Sequence, residues 1–170
     1  MVTTQVQKKI NFSLEKVLAK LAEKPVYVGI PKENTKRPEG GMTNAALLMI
    51  HSKGSPLRNL PARPVIEPAI EDSNNKAKIS KYLLAAAKKG LGGDQSGFIA
   101  GLNAAGLQAQ NACRDWFENP NNGWEPLAES TIKAKVRKYG KGKDVDVSSI
   151  IPLVDTGEMR KAISYVIGDE

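Results

Sequence analysis

Residues 52–64 read Ser-Lys-Gly-Ser-Pro-Leu-Arg-Asn-Leu-Pro-Ala-Arg-Pro, and this run forbids regular structure. Proline fixes φ, lacks an amide donor and pushes the residue before it to extended geometry. The expectation is an ordered extended segment that helices and strands on either side must accommodate. Two more breaks flank it: a polar loop over 32–43 rich in Pro, Gly, Glu and Lys, and the turn cluster Asn119-Pro-Asn-Asn-Gly123.

Between the breaks the apolar spacing assigns the elements. Alternating Val6, Lys8 and Ile10 predict a short strand, and Ser13 caps a helix over 14–24 with apolar residues at 14, 17, 18 and 21. Pro25 stops that helix, and Val26-Tyr-Val-Gly-Ile30 has strand character. Thr43 is a cap for 44–51, whose nearly continuous apolar residues fit a buried helix or a strand. A helix over 68–89 with a stop at Gly90 is followed by a second over 96–118. The second carries Gly97, Gly101, Ala105 and Gln108 on one stripe, which points to close backbone packing against either the preceding helix or another subunit. A last strand fits 162–167. The predicted fold is α+β: a small, mainly antiparallel sheet packed against two or three helices. It forms a single domain over 1–170, with extended loops at 32–43, 52–64 and 138–151.

The composition argues against most chemistry. One histidine, His51, and one cysteine, Cys113, leave no metal-ligand cluster, no Ser-His-Asp or Cys-His set and no internal disulfide. Phosphate loops and dinucleotide fingerprints are missing as well. Asp155-Thr-Gly157 matches the triplet of aspartic proteases, but Gly157 leads straight into a helix start instead of the strand such a triplet needs. The expectation is therefore no enzyme, no cofactor, no metal and no catalytic residue. The N-terminus lacks a signal-peptide core, and no apolar run is long enough for a membrane span, so a soluble protein is expected. A net charge of +7 is compatible with acidic protein partners or nucleic acid and equally with plain solubility.

The last quarter carries the functional signal. Trp124-Glu-Pro-Leu127 leads into a helix whose face Leu127, Ile132, Val136 and Tyr139 packs inward. Lys133, Lys135, Arg137, Lys138, Lys141 and Lys143 form an acid-free block, a basic arm held in solvent. Further on, Asp155 or Thr156 caps a short helix over 158–163, Gly157 makes the turn, and Arg160 is within reach of Asp155.

Three motifs in this order, Leu60-Pro-Ala-Arg-Pro64, Trp124-x-Pro-Leu127 with Thr131-Ile132 and Lys135, and Leu153-x-x-Thr156-Gly157-x-x-Arg160, resemble the tail-completion or virion-morphogenesis proteins of tailed bacteriophages. The resemblance covers well under half the chain. Val65 stands where many relatives have an aromatic, and Ala128-Glu129 where they have a small polar cap with proline. It implies a structural subunit of a homo-oligomeric ring, with a hexamer favoured, at the head-tail neck or the head-proximal end of the tail. That subunit would be made in the host bacterial cytoplasm and carried in the virion. Its implied partners are connector, tail-terminator or tail-tube proteins, with no membrane. Pro61, Arg63, Pro64, Trp124, Leu127, Thr131, Asp155, Thr156, Gly157 and Arg160 are the implied docking residues. The alternative is a morphogenesis protein whose basic arm makes non-specific contact with genomic DNA in the channel.

Overall fold

The computed structural model describes residues 14–37, 40–140 and 150–168. The predicted strand at Val6, Lys8 and Ile10, the Ser13 cap, Lys141 and Lys143 lie outside them. The fold is α+β, a two-stranded antiparallel sheet among seven described helices. Contacts divide the chain into two compact units.

The first unit takes residues 14–29, Ile70–Ala112 and 164–168. It holds helix α1 (14–22), strands β1 (Val26–Gly29) and β2 (Ser164–Ile167), helix α4 (Ser73–Leu91) and most of α5 (Gln95–Asp115). Strand β1 pairs antiparallel with β2 in the register Val26 to Ile167 through Gly29 to Ser164. Ala86, Phe98 and Leu102 form the core, and Leu21, Val26, Leu83, Ile99 and Ile167 pack on it. The small-residue stripe of α5 faces α4: a Cβ built on Gly101 would lie 2.6 Å from the Ala86 Cβ. At Gly101 the close neighbour is therefore the preceding helix.

The predicted helix over 68–89 is two helices, because Asp72 interrupts it. The Asp72 carboxylate accepts from the amides of Asn74 and Asn75, both at 3.1 Å, and so starts α4 afresh. The preceding segment is the short α3 (Ile66–Glu71). Gly90 is not the stop either; α4 runs through it to Leu91 and is capped by Gly92.

The second unit takes the described parts of Ile30–Ala69 and Cys113–Ile163. It contains α2 (Asn44–Lys53), α6 (Glu129–Gly140) and α7 (Glu158–Ala162). The ambiguous apolar run is the helix α2, and Thr43 caps it, its hydroxyl accepting from the Ala46 amide at 3.2 Å. Val65, Ala69, Cys113, Phe117 and Ile163 are buried. Arg114 ties the end of α7 down, donating to the carbonyls of Lys161 at 2.8 Å and Ile163 at 2.7 Å.

The loop over 52–64 is more regular than its prolines suggest. Helix α2 extends through Lys53, Pro56–Arg58 make a 3-10 turn, and Ser55 and Leu60 exchange backbone hydrogen bonds at 2.8 and 3.0 Å. Pro56 sits at the start of the turn, where a missing amide donor costs nothing. The loop over 32–43 likewise contains a 3-10 turn, Lys32–Asn34. Of the loop predicted over 138–151, residues 138–140 belong to α6, and 141–149 lie outside the described residues.

Candidate functional site

The three sequence motifs meet in the second unit, and two of them lock each other. Arg63 is 5% exposed; its Nη2 donates to the carbonyl of Glu125 at 3.0 Å and is 3.5 Å from that of Pro126. In return the Trp124 indole donates to the carbonyl of Pro64 at 3.1 Å, and its ring meets Phe117 edge to face at 5.9 Å. A guanidinium and an indole thus satisfy backbone carbonyls across 60 residues of chain, which fixes the proline-bounded loop against the segment that leads into α6.

The third motif is held by α6. Lys135 donates to the carbonyls of Ile151 at 2.9 Å and Val154 at 2.6 Å. Burial moves its ammonium below the usual lysine range, partly offset by the Asp155 charge. Asp155 accepts from Lys138 at 2.8 Å and from the Tyr139 hydroxyl. These hydrogen bonds hold its carboxyl below its ordinary value and raise that of Lys138.

Around this scaffold lies a cleft of about 490 Å³. Pro61, Arg63, Leu127 and Thr131 line it from the first two motifs, and Asp155, Thr156 and Gly157 from the third. Arg37, His51, Lys135, Leu153 and Met159 complete much of the wall. Pro64, Trp124 and Arg160 lie outside the lining, the first two as structural anchors.

Several sequence expectations are corrected. Asp155 does not cap α7: its carboxylate is taken by Lys138 and Tyr139, and the residue at the cap is Gly157, whose φ of 77° suits glycine. Thr156 makes only a long contact, 3.4 Å, from the Glu158 amide. Arg160 pairs not with Asp155 but with Glu118, and more distantly with Asp115 at 4.0 Å. Tyr139 does not pack inward; it is 46% exposed and turned to Asp155. Leu127 precedes α6 and is half-buried. The basic arm is not uniformly free. Lys135 is a clamp, Lys138 is paired with Asp155, and Lys133 with Glu129 at 2.7 Å, while Arg137 is exposed. Helical spacing puts Lys135 in the block but cannot show that unpaired carbonyls of the 151–154 turn lie opposite it.

His51 belongs to this cleft, a placement its position before a proline-rich loop does not reveal. Its carbonyl accepts from the Arg63 amide at 2.7 Å, and its Nδ1 is buried without a partner among the described residues. Burial, and then the neighbouring Arg63 charge, push the imidazole below its ordinary value of 6.5. The folded value is the lower one, so the unfolded chain takes up the proton first as pH falls. The stability this group contributes is complete above about 6.5 and is lost as pH drops towards the folded value. Midpoints of urea unfolding read by tryptophan fluorescence should therefore fall between about pH 7.5 and about pH 5.5, and His51→Gln should remove most of that slope. An unchanged slope in the variant would refute the assignment.

Cys113 lies at the buried end of α5, and burial pushes its thiol up to about 12, so it is protonated at neutral pH and packs as a small apolar residue. Among the described residues no His, Cys, Asp and Glu cluster is placed to hold a metal ion, and no helix is long and apolar enough to cross a membrane.

Comparison of the chain with protein-family models, curated proteins and solved structures gives no match.

Proposed function

We propose that this protein is a structural subunit of a tailed-phage virion, assembled as a ring at the head-tail neck or the head-proximal tail end, where it completes the tail or joins it to the connector without performing chemistry. The observation that carries the reading is the convergence of the three family-like motifs on one cleft. Arg63 and Lys135 in its wall, and Trp124 behind it, each donate to backbone carbonyls. Side chains used this way set the shape of a surface, which is what a docking subunit needs. Ring stoichiometry and the identity of the neighbouring neck protein follow from the resemblance alone, with a hexamer and a connector, tail-terminator or tail-tube partner as its implications.

The second reading, contact with genomic DNA through the basic arm, is weakened by the engagement of Lys133, Lys135 and Lys138 within the protein. The test replaces Lys138, Lys141 and Lys143 with Gln and measures incorporation into particles beside duplex binding by the free protein. Incorporation should fall several-fold with the fluorescence unfolding midpoint little changed, because exposed charges carry little folding energy. Normal incorporation, combined with salt-sensitive duplex binding by the parent that the substitutions flatten, would favour the DNA reading instead. A map of virions showing density for this chain away from the neck and tail would refute both.

A further inference from the structure

The cleft gathers three cations that form no ion pair with an acid among the described residues. Arg37 donates to the side-chain oxygen of Asn44 at 3.2 Å, Arg63 to the Glu125 carbonyl and Lys135 to two carbonyls. Among the described residues no carboxylate lies within ion-pair distance of any of them. The donor inventory is not exhausted. Among the described residues, Lys135 uses two of the three hydrogens of its ammonium, Arg37 one of the five of its guanidinium, and the buried Arg63 leaves its Nε without a partner. The buried Arg63 is hydrogen-bonded to neutral oxygens, with the Glu125 charge only partly offsetting the cost of its burial, so positive potential remains at the cleft wall and an incoming anion lowers that cost.

The rest of the lining limits what that anion is. Glu125 and Glu158 also face the cleft, whereas Asp155 is neutralised by Lys138. Two fixed acids repel a run of phosphates but tolerate one monoanionic group set against the cations of the lining. Leu127, Leu153 and Met159 offer apolar contact beside it. We infer that the cleft binds an extended acidic segment of a partner protein, with one Asp or Glu carboxylate at the Arg37–Arg63–Lys135 pole and a neighbouring aliphatic side chain against Leu127, Leu153 and Met159. The inference depends on the docking reading above only for who the partner is; the recognition chemistry stands by itself.

His51 is the single histidine and lines the same cleft, so its ring resonances in the full chain report occupancy without ambiguity. The probes are the capped tetrapeptide acetyl-Ala-Leu-Glu-Ala-amide, its Leu-Gln twin and a short duplex DNA. The Glu peptide should move the His51 resonances saturably, and the Gln peptide should bind at least about tenfold more weakly. Arg37→Gln should weaken the Glu peptide by about tenfold, and Thr131→Trp, at an exposed rim position, should abolish binding by filling the mouth. If Arg37→Gln unfolds the unit, as seen in tryptophan fluorescence, the Thr131→Trp variant carries the test. No saturable shift, equal response to the Gln peptide, full binding by the Thr131→Trp variant, or tighter binding of duplex DNA each overturns the inference. Peptide binding by a chain that never enters particles would refute the neck reading alone. Incorporation without any peptide response would refute only the cleft.

Discussion

Arg63→Ala is expected to lower the stability of the second unit by about 3 kcal/mol. The substitution removes a charged donor at 3.0 Å from the Glu125 carbonyl, a longer one at 3.5 Å from Pro126, and the packing of a side chain that is 5% exposed. It leaves carbonyls without a donor and a void next to His51. Each lost hydrogen bond from a charged group is worth about 1.5–3 kcal/mol, reduced here because removing the arginine also relieves the cost of its burial. Burial does lower the Arg63 guanidinium from its ordinary range, consistent with that cost. Arg63→Lys should recover little, since an ammonium cannot reproduce the planar fork. Arg63→Met, which fills volume without a charge, should be the mildest of the three. Trp116 and Trp124 both lie in this unit, so the urea midpoint of tryptophan fluorescence reads the effect directly. A change in Arg63→Ala below about 0.5 kcal/mol would show that the Pro-Ala-Arg-Pro loop does not depend on the clamp.

Gly101→Leu should be at least as damaging to the first unit, by about 3 kcal/mol or more. A Cβ on Gly101 would sit 2.6 Å from the Cβ of Ala86 and 2.9 Å from its Cα, so α4 must move away as a body. For Gly101→Ala two effects compete. Alanine gains about 1 kcal/mol of helix propensity, while overpacking costs about 1–3 kcal/mol, and the backbone contact at Ala86 decides for a net loss. The double variant Gly101→Ala with Ala86→Gly places the methyl group on the other helix and should recover part of the loss, a coupling visible in thermal unfolding followed by circular dichroism. Gly101→Ala stabler than the parent would mean that the two helices are not held at this separation.

Local rules made part of this protein legible in its sequence. The Thr43 cap and the Pro25 stop follow from interactions a few residues apart, where steric and hydrogen-bonding preferences act without help from the rest of the chain; the two described strands and the small residues of α5 show in residue type and spacing but find their partners at long range. The break at Asp72 is local too, yet apolar spacing runs across it, and only the competition between a carboxylate cap and a continuous helix decides the outcome. The residues of the cleft were named in large part from the three motifs, but their roles were not. Whether Asp155 caps α7 or binds Lys138 and Tyr139, whether Arg160 meets Asp155 or Glu118, and whether Lys135 is a solvated charge or a clamp depend on which groups stand opposite. Sequence determined which side chains could bond and where prolines and glycines would break regular structure. Tertiary structure alone decided the pairing, because each long cation had several oxygens within reach and the fold brought one set to it across 16 to 62 residues of chain.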